Sequence, residues 1–230
     1  MINSFAKAVL PESAIEKIIR GLGTKGADRQ NIVTSCVDSD DSVLDIGCVQ
    51  HSLDNVNWRN PRRGEWLHAD LRRVTDDVIG IDIVEDEIER MSEAGFDVEV
   101  GNAETFNFDR KFDVVVAGEL IEHLSNPGQF LDRCREHVHD DGQVIISTPN
   151  PRRLEMVLWF LFGTEHQANP EHTMWFDHYV MDSLVSRHGF VLDDFEFHKP
   201  SIHPILRPLY RLGIGRPLSS GGYIFKLTPV

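Results

Sequence analysis

Lysine is scarce in this chain. Six Lys stand beside 17 Arg, against 21 Asp and 16 Glu, and the formal net charge is −14. That balance argues against nucleic acid as a partner, because a phosphate-binding face needs clustered basic charge. An Asp-rich, Lys-poor surface stays hydrated at high salt, so the composition predicts a salt-adapted protein of haloarchaeal type. Cysteine is sparse as well. Cys36, Cys48 and Cys134 fall at no metal or redox spacing, which predicts reduced thiols and a cytoplasmic location. Long apolar runs are missing. The longest uninterrupted one, Met156 to Phe162, falls far short of the ~20 residues of a spanning helix. The opening MINSFAKAVLPESAIEK lacks the basic start and apolar centre of a signal peptide. No internal repeat or low-complexity tail is present. What remains is a chain of 230 residues, 41% hydrophobic, enough for one domain with its own core.

Within it, short apolar runs end in polar residues. SVLDIGC carries Asp45 into a tight turn at Gly47, VIGIDI ends at Asp82, VEVGNAE delivers Asn102, and FDVVVAGEL delivers Glu119. Each reads as a buried strand. In a parallel sheet their carboxyl ends lie side by side along one edge, where an open α/β sheet binds its ligand. Helical patterns separate the strands: a short helix over Asp28 to Cys36, a helix from about Gly64 with Leu67, Leu71, Val74 and Val78 in phase, one over 85–94 ending at Gly95, and one begun by Asn126 and Pro127. Strand 143–148 follows, and a further helix capped by Asp177 runs to Gly189. Strands at 190–197 and from Gly222 onward close the chain. The alternation predicts an α/β fold with parallel pairing. Residues 1–40 read as a helical cap on a domain spanning 41–230, with 150–177 and 198–220 as acceptor-side insertions.

Taken together, VLDIGC, GIDI, GNAE, FDVVVAGELIEHLSNPGQFL and EHTMWFDHYVMDSLVSRHGF resemble the class I S-adenosylmethionine-dependent methyltransferases over roughly residues 40–195. The resemblance implies a Rossmann-like sheet, mostly parallel with a reversed last strand, and helices on both faces. It implies S-adenosyl-L-methionine as cofactor. Asp82 would take the ribose, Asn102 with the backbone at Ala103 the adenine edge, and Asp45 the amino-acid end, with Gly47 allowing close backbone approach. Cys48, Ile83, Glu104 and Glu119 would also contact the cofactor. One departure stands out: the family turn usually runs D-x-G-x-G-x-G, and here Val49 and His51 replace the second and third glycines.

Glu119-Leu-Ile-Glu122-His123 follows the fourth strand, where the methyl group would sit. His123 and Glu122 are the candidate catalytic pair for removing an acceptor proton. A similar E-x-x-E-H binds a divalent cation in two branches of the family, which makes Glu119, Glu122, His123 and His172 candidate ligands, with Mg2+ as the implied ion. The other nine histidines, His68, His137, His139 and His188 among them, read as surface or packing residues. The expected reaction is methyl transfer to an oxygen of a small-molecule or glycan-type acceptor. The alternatives are a non-catalytic binding module with a degenerate turn, and a Rossmann dehydrogenase, which the missing G-x-G-x-x-G disfavours. Arg152 and Arg153 on the apolar stretch 151–162, with Ile205 to Leu212, leave peripheral membrane contact as an option.

Overall fold

A run such as VLDI or VVVA has no polar alternation, so both of its faces must be covered. The computed structural model describes residues 29–49, 61–153, 156, 169–200 and 216–230, and these runs form its central strands. They are β1 (Val43–Ile46), β2 (Val78–Asp82), β3 (Val98–Val100), β4 (Phe112–Gly118) and β5 (Val138–Pro149), joined at one edge by β6 (Phe190–Pro200) and β7 (Ser220–Pro229). The sheet order is β3-β2-β1-β4-β5-β7-β6. β1 to β5 pair in parallel, with Leu44 between Ile79 and Val115. β7 runs antiparallel to both β5 and β6. The expected sheet with its reversed last strand is the one observed.

The two-residue side-chain period of a strand sorts the core into two layers. On one face Leu44, Ile46, Ile81, Val115, Ile146 and Phe225 pack against Phe130, Leu131 and Cys134 of α4 (Pro127–His137) and against Met181 and Val185 of α5 (His178–Val185). On the other, Val43, Val78, Val114, Val116, Ile145 and Ile224 meet Ile32 and Val33 of α1 (Arg29–Thr34) and Leu67 and Leu71 of α2 (Leu67–Leu71). α3 (Glu85–Glu93) buries Ile88 and Met91 beside Trp66 and Val98. A one-turn helix such as α2 has no stability of its own. It is held because each apolar side chain it buries contributes about 1.5–3 kcal/mol. Both expected caps are made. The Asn126 side chain accepts the Gln129 N–H with Pro127 next in line, and Asp177 accepts the N–H groups of Tyr179 and Val180.

The helix expected from Gly64 through Val78 is shorter than its periodicity suggests. It ends at Leu71, and Val78 opens β2. Thr75 is the cause: its hydroxyl donates to the Asp41 carbonyl at 2.8 Å and accepts the Asp77 N–H at 3.3 Å, tying the chain into a turn before β2. β5 starts earlier than expected and runs directly out of α4. The predicted helix ahead of residue 29, residues 50–60 with His51, most of 151–162, and the 201–215 connection with Ile205 and Leu212 lie outside the described residues. Among the described residues no helix is long and apolar enough to cross a membrane.

β7 carries a constraint that reaches the site. His198 of β6 lies over Gly222, and a Cβ there would stand 2.2 Å from His198 Nε2 and 2.7 Å from the Thr148 carbonyl. The absent side chain lets His198 come within 3.7 Å of Glu119 at the end of β4. Gly95, by contrast, has φ +86° with open space around its missing Cβ. Gly95→Ala is therefore expected to cost about 1–2 kcal/mol from backbone strain alone. Gly222→Ala should cost more, because strand backbone must move. Urea denaturation midpoints of the two variants check the order.

Candidate active site

The turn after β1 is fastened to β2. Gly47 adopts φ +81°, and its N–H donates to the Ile81 carbonyl at 2.8 Å. A side chain there would be strained whatever the space, and its Cβ would meet Leu120 at 3.3 Å. Asp82, at the end of β2, is half-buried. One of its oxygens accepts the Val49 N–H at 3.1 Å and the other the Val84 N–H at 3.2 Å. Burial pushes the carboxyl up, and these backbone N–H bonds pull it back. A carboxylate offers about four lone-pair sites, so two N–H bonds leave room for the two hydroxyls of a ribose. The Asp82 geometry fits the cofactor that the sequence implies.

Asp45 is 2% exposed. Its Oδ2 lies 3.0 Å from Nδ1 of His68, which has no exposed surface. Of the two readings of His68, surface or packing, the structure shows the packed one and adds a partner: it is the buried neighbour of the acid in the β1 turn. Trp66, two residues before His68, donates its indole N–H to the Cys48 carbonyl at 2.8 Å. The Cys48 thiol is buried between two acids. Burial, then Asp45 and Asp82, push it well up, so it stays a neutral thiol. No spacing rule marks His68 in the sequence. Its only signal is its place beside Trp66 and Leu67 on a short apolar turn.

Further along the edge, Ile83 is 67% exposed beside Asp82 and offers an apolar face. Asn102 is exposed and uses Oδ1 to accept the Glu104 N–H at 2.8 Å. Ala103 is buried. Glu104 is turned toward α4, where Oε1 accepts the Asn126 N–H at 2.7 Å.

Two glutamates with opposite settings follow β4. Glu119 is the one non-glycine residue with positive φ among the described residues, at 55°. Its N–H donates to the carbonyl and the hydroxyl of Ser147 at 3.0 and 3.1 Å. Burial acts upward on its carboxyl, but His198, Arg29 and Ser147 outweigh it and hold the group below its ordinary value. Glu122 sits in a 3-10 turn (Ile121–His123), 1% exposed, with Oε2 accepting the Thr148 hydroxyl at 3.0 Å. Burial, and then the charge of Glu119, push it up to about 8. A carboxylate pair driven apart in this way is how proteins separate a charged role from a proton-carrying one.

Glu122 also recruits the late segment. Its carbonyl accepts the N–H of Thr173 at 2.8 Å and the Thr173 hydroxyl at 3.1 Å. That places His172 against His123, ring centroids 4.7 Å apart and nearly perpendicular. Ligand atoms of Glu122, His123 and His172 lie within 4.8 Å of one another. Three of the four candidate metal ligands therefore converge, while Glu119 Oε1 lies 3.7 Å from His198 Nε2. Glu122, Thr148, Asn150, Arg153, His172 and Trp175 line a cavity of about 160 Å³. His123 stands beside His172, outside that lining.

A family model described as a methyltransferase domain matches residues 16–198. A "Probable S-adenosylmethionine-dependent methyltransferase" of Mycolicibacterium smegmatis is 30% identical over 72% of this chain and 57% of its own length. The "Ubiquinone biosynthesis O-methyltransferase" of Azorhizobium caulinodans is 32% identical over 54% of this chain and 46% of its own. The chain thus spans about half the length of these curated relatives. Among solved structures, magnesium protoporphyrin IX methyltransferase from Synechocystis with bound S-adenosylhomocysteine shares the fold, with a TM-score of 0.59 at 12% identity over 99% of this chain and 100% of that one. A methyltransferase from Archaeoglobus fulgidus gives 0.57 at 18% over 86% and 93%. With the family model covering most of its length, the chain belongs to the class I S-adenosylmethionine-dependent methyltransferases.

Proposed function

We propose that this protein moves a methyl group from S-adenosylmethionine to an oxygen of a small-molecule or glycan-type acceptor bound in the cavity beside Glu122. The cofactor supplies a methyl carbon already activated by its sulfonium. The chain's residues bind and orient. Asp82 accepts from the ribose hydroxyls, Ile83, Asn102 and Ala103 hold the adenine, and the Asp45–Cys48 turn with Glu119 holds the amino-acid end. The observation that carries the reading is Glu122: a buried carboxyl in the cavity wall, one oxygen fixed by Thr148 and the other, Oε1, without a partner. An acceptor hydroxyl can place its proton there when Glu122 is ionised, a form that gains population as pH rises toward about 8. Glu122 serves this role better than His123, which the cavity lining leaves out. The names of the ubiquinone-pathway relatives favour a small hydroxyl acceptor, and the net charge of −14 disfavours nucleic acid. The family assignment displaces the dehydrogenase alternative. Three free thiols suit a reducing compartment such as the cytoplasm.

A second reading rests on the convergence of Glu122, His123 and His172. One carboxylate and two imidazoles suit a manganese-like or softer divalent ion better than the magnesium that the motif implies. Such an ion would lower the acceptor's own pKa.

Transfer of labelled methyl from S-adenosylmethionine to a panel of small hydroxyl acceptors, run in chelator and then with Mn2+ or Mg2+, tests both. The first reading expects turnover in chelator, reduced at least ~100-fold in Glu122→Gln, with cofactor affinity retained. Turnover that chelator abolishes and Mn2+ restores selects the metal reading. Cofactor binding with no acceptor consumed selects a non-catalytic module.

Glu122 also sets a pH dependence of stability. Folded, it keeps its proton to about 8, whereas unfolded it loses it near 4.5. The folded state therefore binds the extra proton between those values, and stability falls as pH rises through that window. In chelator, thermal midpoints of Glu122→Gln should lack this component of the fall, and the variant should gain on wild type as pH approaches 8.

A further inference from the structure

The turn after β1 keeps one glycine where its relatives' pattern has three, because Val49 and His51 fill the other positions. Glycines in such a turn allow close backbone approach and set its shape. Here side chains from the α2 segment do the shaping. Trp66 bonds the Cys48 carbonyl, and His68 bonds Asp45. Gly80, paired with Asp45 in the β1–β2 register, leaves the slot for this: a Cβ on it would stand 2.8 Å from His68 Cε1 and 2.9 Å from Cys48 Sγ. Trp66 and Phe96 close the box, each with its ring centroid 5.6 Å from that of His68.

We propose that His68 is a positioning residue for the amino-acid end of the cofactor. A carboxylate only accepts, so Nδ1 carries the proton and donates to Asp45 Oδ2. That leaves Asp45 Oδ1 to face a cationic ligand group, the ammonium of the methionine moiety. The walled ring has no room to turn, so the acceptor oxygen is fixed before the ligand arrives, and binding loses less entropy in ordering it. Removing the donor frees a buried carboxylate to take a proton or swing away. This inference rests on the cofactor reading above and adds the residue that replaces the glycine turn.

The test compares S-adenosylhomocysteine with 5′-methylthioadenosine, which lacks the amino-acid end, by calorimetric titration into wild type, His68→Asn, His68→Gln and His68→Leu. An Asn amide can stand where Nδ1 does; a Gln amide reaches past it. Affinity for S-adenosylhomocysteine should fall about tenfold or more in the Gln and Leu variants, the loss of about 1.4 kcal/mol, and should hold within about threefold in His68→Asn. Affinity for 5′-methylthioadenosine should stay level throughout. Should His68→Leu fail to fold, the Asn and Gln pair still carries the comparison. Equal losses for both ligands, or unchanged S-adenosylhomocysteine affinity in His68→Gln, overturn the proposal. Failure of wild type to bind either ligand overturns the cofactor reading itself, and this inference with it.

Discussion

A carboxylate removed from water must be given a partner or a proton, since stranding it as a bare charge costs several kcal/mol. Four acidic side chains, Asp45, Asp82, Glu119 and Glu122, gather at the carboxyl ends of β1, β2 and β4, and each meets this demand differently. Asp45 takes the imidazole of His68. Asp82 takes two backbone N–H groups that clamp adjacent turns together. Glu119 takes the neighbourhood of Arg29, His198 and Ser147. Glu122 keeps its proton. Much of the surrounding architecture serves these solutions: Gly80 clears space for His68, Gly222 clears space for His198, and the left-handed Glu119 carries its Oε1 to within 3.7 Å of His198.

The same division has a chemical use. An acidic edge favours a cofactor that carries a sulfonium and an ammonium, and no anion-binding cradle is needed. Asp45, Asp82 and Glu119 line that edge, while Glu122, on the opposite side of β5's end from Glu119, faces the cavity. Ser147 and Thr148 are consecutive and so point to opposite faces of the sheet. One serves Glu119 and the other Glu122. A single strand end therefore separates the binding acid from the proton-carrying one.

Local pattern made the strands legible in the sequence. Short apolar runs bounded by turn residues read as covered strands, and their terminal polar residues marked the edge on which Asp45, Asp82 and Glu119 lie. Asn126 and Asp177 were legible as caps because capping is decided within three residues. His68 was not legible, since its partner stands 23 residues earlier and only the packing of α2 over β1 and β2, with Gly80 leaving room, brings the two together. The early end of α2 was hidden for a related reason: Thr75 is claimed by Asp41, across 34 residues. Convergence of His172 on Glu122 and His123 followed from the motif, but the departure of Glu119 from that group did not. It depends on a positive φ and on a histidine two strands beyond β5 in the sheet order.

The central claim is that this edge holds S-adenosylmethionine with Asp82 on its ribose. Calorimetric titration of S-adenosylmethionine in molar potassium chloride, into wild type and Asp82→Ala side by side, tests it directly. The account predicts micromolar binding to wild type and a loss of at least ~30-fold in the variant, two charge-assisted hydrogen bonds being removed. No binding to wild type, or equal binding to both proteins, would contradict it.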